Sequence, residues 1–548
     1  MTPRARRALV SVVLFFAVCA VVGSVLQRKV GAQSSQDQSQ LRDSLRSFTS
    51  VYALVEQNYA QPITGDKADA ALYDGAIPGM LRVLDPHSHF YDPKEYARMR
   101  EDQRGHYFGV GMTIQQQGNK IYVVYPAEGA PAFRAGIHPG DVISAVDGKP
   151  VSVDGKIPGG LASSDAVAKA LKGPEGTHVQ ATMIRAGQPK PLVFDLVRAE
   201  ISHPSVDLAY EIRPGVGYIH LTQFQETTGQ EVDDAINHFG NLKGLVFDLR
   251  DNPGGLLSQA VDVSDHLLSK GQIIVSQRGR AFPDVVYKAS HGNGGHVFPI
   301  VVLVDRGTAS AAEIVSGALQ DHDRALIVGQ TTFGKGLVQT LYNLSDNSGL
   351  ALTTYHYYTP SGRLIQRNYA GISLYDYYYN HGGALPANNT NREVRLTDAG
   401  RTVYGGGGIT PDETIEAPKT NDFQDTLLFK DAFFHFAPVY LATHTVDKNF
   451  QVNAEVLAEF KKFLTSQSIP WTEADLNGVM DWLKIGIKDK ICTIQFGEVQ
   501  GMRVRADWDP EIQKAIGYLP EAQALEINVH KVLAEKAMAR NEAENAAK

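Results

Sequence analysis

Through the middle of the chain, short unbroken apolar runs alternate with stretches of helical period. Phe298-Pro299-Ile300-Val301-Val302-Leu303-Val304 suits a parallel strand buried on both faces, with the proline at the start where a strand tolerates it. Leu242–Leu249 and Ala325–Val328 read the same way. Glu226–Phe239 and Leu256–Leu268 carry helical spacing between them, so residues 200–421 are expected to form an α/β layered sheet. Before it, residues 105–199 hold short strands such as Met112–Gln115 and Lys120–Tyr125, glycine-punctuated turns and one helix, Ser164–Leu171, which predicts a small β-rich barrel. Residues 41–104 are expected to be helical, through Leu45, Phe48, Tyr52 and Val55 and again over Asp69–Leu84, interrupted near Pro78 and stopped by Asp85-Pro86. Residues 422–548 read as a helical C-terminal domain with helices over Leu427–Tyr440, Asn453–Thr465, Asn477–Ile491 and from Pro510 onward.

The first residues follow a different pattern. Arg4, Arg6 and Arg7 precede Ala8–Leu26, an uncharged run close to the roughly 20 apolar residues that span a bilayer. With the polar tether Gln33–Gln40, residues 1–40 are read as an uncleaved signal anchor in preference to a signal cleaved near Gly31-Ala32. The folded part is then expected outside the cytoplasm, in the bacterial cell envelope. A length of 548 residues with 43% hydrophobic and 20% charged residues is ordinary for a multidomain globular protein. A charge of −8, from 52 basic and 60 acidic residues, leaves no basic excess for nucleic acid. The cysteines, Cys19 and Cys492, supply neither a disulfide framework nor a cysteine metal site. His87 and His89 lack a third ligand nearby and read as a turn, so no metal and no cofactor is expected.

The candidate chemistry lies in Asp305–Gln339. Ser310 falls just past a strand end at a helix start, and Lys335 sits on a glycine-rich turn after the next strand. In layered α/β sheets the loops leaving the strand C-termini collect the reacting groups, and the Asn252–Gly255 loop belongs there too. A serine hydroxyl needs a base, and a lysine desolvated among apolar neighbours can serve as one. Phe333, Gly334, Gly336, Leu337 and Val338 surround Lys335 in the sequence without a carboxylate. In an extended chain Lys335 and Gln339 would share one face. The N–H of Ala311 is free of helical partners, and Gly254 or Gly255 would supply a second oxyanion donor. Taken alone, Ser310-Ala311-Ala312-Glu313 is also a capping box, and Glu313 reads as a helix cap.

Several stretches together resemble the carboxyl-terminal processing (tail-specific) proteases. They are Asp248-Leu249-Arg250 with Asn252-Pro253-Gly254-Gly255, then Ala309-Ser310-Ala311 with Glu313, then Thr332-Phe333-Gly334-Lys335-Gly336 with Val338-Gln339. Leu84-Asp85-Pro86-His87-Ser88, Tyr358-Thr359-Pro360-Ser361-Gly362-Arg363 and Gly408-Ile409 with Pro411-Asp412 occur in the family's order. Ala135-Gly136-Ile137 with Pro139-Gly140-Asp141-Val142-Ile143 similarly resembles a PDZ domain. The resemblance implies a Ser–Lys serine endopeptidase: Ser310 nucleophile, Lys335 general base, Gln339 aligning the lysine, and a PDZ loop Phe108-Gly109-Val110-Gly111 that takes a substrate's C-terminal carboxylate. Lys172 stands where relatives often carry an arginine that reports PDZ occupancy. The implied partners are protein or peptide substrates with exposed C-termini and the inner membrane, with a homo-oligomer an open alternative. Two rival readings are a catalytically silent PDZ scaffold and a P-loop-like NTPase. The second fails because Gly336 replaces the Mg²⁺-binding hydroxyl and Leu337–Leu344 reads as a strand.

Overall fold

The computed structural model describes residues 39–63, 65–153, 156–185, 187–344, 346–379 and 392–546. The run Ala8–Leu26, expected as the membrane anchor, lies outside the described residues. Among the described residues no helix is long and apolar enough to cross a membrane. The chain divides into two compact units, Met1–Leu84 and Asp85–Lys548. In the first, a helix runs through the expected break at Pro78. Asp66–Ala70 passes into a π-helical stretch, Ala71–Ala76, and on into Ile77–Arg82, with Pro78 in the first turn of that last segment.

The second unit is built around a six-stranded sheet. Its order is Val206–Arg213, Val216–Leu221, Gly244–Asp248, Ile300–Val304, Ala325–Gly329 and Glu413–Thr414. Only the first pair is antiparallel. The three central strands are buried along their whole length, as their unbroken apolar runs require. Their side chains alternate between two cores. Leu245, Phe247, Ile300, Val302 and Ile327 face the helices Thr228–Phe239, Leu257–Leu267 and Ala311–Asp321. Val246, Val301, Leu303, Leu326 and Val328 face Ala506, Ile512, Ala515, Leu519 and Ala522.

The second core draws on the last helices of the region read as a helical C-terminal domain. Residues Leu427 to Ile491 do form a helical core of their own, through Phe433, Phe436, Phe460 and Ile487. The later helices, from Glu498–Trp508 to the start of Leu519–Ala546, instead cover the open face of the six-stranded sheet. A sheet apolar on both faces needs that cover, and nothing in the helices' own sequence announces which surface they take.

A second, antiparallel sheet runs His89–Tyr91, Gly349–Tyr358, Ile273–Arg278, Val285–Lys288, with Leu337–Asn343 also on Gly349–Tyr358. Strands over 273–288 are absent from the sequence reading. The PDZ region has its own sheet and core, through Ile121, Val123, Ile143, Val167 and Met183. Its helix, Ser164–Leu171, has the expected bounds, with Ser163 as N-cap.

Candidate functional site

Parallel registry sets the loops after three neighbouring strands side by side. Thr308 Oγ1 donates to Leu249 O at 2.8 Å, Ala309 N to Asn252 O at 2.9 Å, and Phe333 N to Thr308 O at 2.9 Å. The Asn252, Ser310 and Lys335 loops are thereby laced together. Ser310 begins its helix in a left-handed conformation, φ 55° and ψ −112°, which a non-glycine residue holds only when its surroundings enforce it.

Glu313 supplies much of that enforcement. Its carboxylate is fully buried and accepts four donors. Oε2 takes the N–H of Ser310 at 2.8 Å and the N–H of Lys335 at 2.9 Å. Oε1 takes the N–H of Gly334 at 2.7 Å and the Thr332 hydroxyl. The amide nitrogens of Ser310 and Lys335 are therefore no farther apart than two hydrogen bonds, 2.8 and 2.9 Å, laid end to end. Tyr357 adds a second tie: its backbone N–H donates to Gly336 O at 3.0 Å and its hydroxyl to Ser310 O at 3.1 Å.

The surroundings of Lys335 differ from the sequence expectation. Burial pushes its amine down, as expected, but the carboxylates of Glu313 and Asp85 oppose this. Neither is a close neighbour in sequence; the fold brings both. Glu313 has its lone pairs filled by four donors, and Lys335 Nζ forms no salt bridge among the described residues. Burial raises Glu313, while its hydrogen bonds pull it back. Gln339 also sits differently. The strand begins at Leu337, and an irregularity in its pairing falls between Val338 and Gln339, so simple alternation does not carry from 335 to 339. The Gln339 amide donates to Thr353 Oγ1 at 3.2 Å.

The two glycines expected as oxyanion donors sit differently. Gly254 has φ 96°, and a Cβ there would lie 2.8 Å from Ser310 Cβ, Ala309 O and Ala311 N, so this glycine lets the loop close on Ser310. Its own N–H is occupied by Asn252 Oδ1 at 2.9 Å. Gly255 pairs with Phe224, and a Cβ would meet Phe224 O at 2.1 Å. A cleft of about 410 Å³ opens from Gly255 and Phe224 towards Tyr91, Arg98 and Asp102.

The loop Phe108–Gly111 lies in the PDZ region. Strand His106–Gly109 pairs with Ala199–Ser202, Val110 is buried in the PDZ core, and Phe108 is exposed. The adjacent strand Met112–Gln117 pairs with Lys120–Pro126 alone among the described strands and leaves one edge open. Lys172 is bound to Glu101 at 3.1 Å and lies over the Tyr107 ring at 4.3 Å.

Residues 215–373 match Peptidase family S41, and residues 107–193 match the PDZ domain. The chain is 44% identical over 305 residues to the carboxy-terminal-processing protease of Bartonella bacilliformis, covering 54% of this chain and 68% of that protein. The chain belongs to the carboxy-terminal-processing protease family. It is a serine-type peptidase with a PDZ domain. A probable CtpA-like serine protease of Staphylococcus aureus is 34% identical over 362 residues, covering 65% of this chain and 69% of that protein. Among solved structures, the photosystem II D1 C-terminal processing protease is similar at 27% identity, with a TM-score of 0.33, over 67% of this chain and 92% of that one. The local pattern of this peptidase's sequence casts Glu313 only as a helix cap. The signal of its further role is tertiary: a cap serves its own helix, whereas Glu313 also holds the neighbouring loop.

Proposed function

We propose that this peptidase cleaves polypeptides through an acyl-enzyme formed on Ser310, with Lys335 as general base. The observation that carries the reading is the single Glu313 carboxylate oxygen that accepts from both residues' backbone N–H groups. Lys335 deprotonates Ser310 as the hydroxyl attacks the carbonyl, and returns the proton to the leaving amine. Water then repeats the cycle on the ester. The Ala311 N–H at the helix start stabilises the tetrahedral oxyanion, together with Gly255, since Asn252 already occupies Gly254. Gln339 acts from the adjacent strand. The PDZ loop Phe108–Gly111 receives the substrate's C-terminal carboxylate, and the substrate adds to the open edge of Met112–Gln117. The catalytic part works outside the cytoplasm, held to the membrane through Ala8–Leu26, and the division at 40, 104, 199 and 421 follows these roles.

Ser310→Ala and Lys335→Ala should each abolish cleavage of a protein substrate, read by mass spectrometry, with thermal unfolding retained. Activity surviving in either removes the dyad. Amidating a substrate's C-terminus should raise KM with little change in kcat; an unchanged KM removes the PDZ carboxylate role.

A further inference from the structure

The turn Asp85–Ser88 and the helix Leu374–Tyr379 have no part in the chemistry above, yet both close on the loop that carries Lys335. Asp85 Oδ1 accepts from the N–H groups of His87 and Ser88 at 2.7 Å each, and Oδ2 from Ser88 Oγ at 2.7 Å. Ser88 Oγ accepts from Thr353 N at 3.1 Å, and the next strand, His89–Tyr91, pairs with Gly349–Tyr358. The turn is thus fixed to the strand beside Leu337–Asn343. Its histidine meets Phe333 and Tyr377 edge-on, with ring centroids 6.5 and 5.5 Å away.

A chain of hydrogen bonds runs from the Lys335 loop through this cluster to His87. Gly336 N donates to Gln366 Oε1 at 2.8 Å, which fixes the amide. Gln366 Nε2 then donates to the Tyr377 hydroxyl at 3.1 Å, and that hydroxyl is hydrogen-bonded to His87 Nε2 at 2.9 Å. The Tyr378 hydroxyl donates to Pro86 O at 2.8 Å, leaving its oxygen to face His87 Nδ1 at 3.4 Å. A neutral imidazole with its proton on Nδ1 satisfies all of these contacts. Arg367 lies over the Phe333 and Tyr377 rings at 4.4 and 4.6 Å. Phe333 and Gly336, on either side of Lys335, are both held by this set.

We propose that His87 and Tyr377 are positioning residues for the base: a neutral, hydrogen-bonded wall that excludes water from Lys335 without adding charge. The inference rests on Lys335 being the base. Most charged groups around that amine act against its deprotonation, since Glu313 and Asp85 are carboxylates. Desolvation is what lowers it, and a wall with a cationic or anionic face would bring its own water. Burial first, then the Lys335 cation, hold His87 at about 3 against Asp85, with Arg367 acting in the same direction as the lysine. His87 thus carries no charge at working pH.

The test is the pH dependence of kcat/KM for a peptide substrate with the full chain and its His87→Ala, His87→Gln, Tyr377→Ala and Tyr377→Phe variants. Opening the wall should move the acid limb of His87→Ala and Tyr377→Ala to higher pH. The rate near pH 7 should fall by roughly tenfold, a part of the ~10²–10⁴ that a positioned base contributes, and most of it should return in alkaline buffer. His87→Gln, which keeps a neutral acceptor for Tyr377, should hold the limb near its original place, and Tyr377→Phe, which keeps the ring, should lie between. An unmoved limb in folded His87→Ala, or an equal loss at every pH including in His87→Gln, overturns the wall. Retained activity in Lys335→Ala would instead remove the dyad beneath it.

Discussion

Replacing Glu313 by glutamine tests the site at the point where its geometry is most concentrated. Each carboxylate oxygen accepts two donors, so an amide turned either way sets its NH₂ against two of them. A buried donor left unpaired costs ~1–3 kcal/mol, so two cost about 2–6 kcal/mol. Relief from burying a charge offsets part of this. Against a typical ~5–15 kcal/mol of stability the protein should fold with a lower Tm. If the NH₂ faces Ser310 and Lys335, it pushes their amides apart. A misplacement of ~1 Å costs about 10²-fold in rate, or roughly 2.7 kcal/mol of barrier. The pH response then separates this from simple damage. The Glu313 charge raises the Lys335 amine, so removing it leaves burial less opposed and moves the acid limb of kcat/KM to lower pH. Rate profiles and thermal unfolding of Glu313→Gln and wild type provide the assay. Wild-type kcat/KM with an unmoved limb would refute the clamp.

Lys335→Met should raise Tm at neutral pH while abolishing activity. The folded amine titrates below its unfolded value of ~10.4, so the unfolded chain holds the extra proton between the two and wild-type stability rises with pH there. The advantage of methionine should be full below the folded value and fade as pH approaches ~10.4; a gap constant with pH contradicts this. Gly254→Ala should lose about 10²-fold or more in kcat/KM, because its Cβ would lie 2.8 Å from Ser310 Cβ. Gly118→Ala, at φ 57° with nothing within 4 Å, should cost only backbone strain of roughly 1–2 kcal/mol, read as a lowered Tm, and leave the rate alone. Equal loss in both would put the effect in backbone strain and not in the oxyanion loop.

The central parallel strands were legible in the sequence, because buried parallel strands demand unbroken apolar runs and Ile300–Val304 and Ala325–Gly329 supply them, whereas the strands over 273–288 were not. The sequence by itself also placed Ser310 and Asn252–Gly255 at strand ends. These are local properties, written in period, propensity and backbone freedom. What the tertiary structure decided was which charged groups share a cavity. Glu313 and Asp85 meet Lys335 from 22 and 250 residues away along the chain, by loop lacing and strand pairing that no local period encodes. The same limit hid the use of Glu498–Trp508 and Leu519–Ala546 as a cover for the sheet. An amphipathic helix records that one face is buried but not against what. The charge state of a lysine depends on every group within a few ångströms, and only the folded chain fixes those.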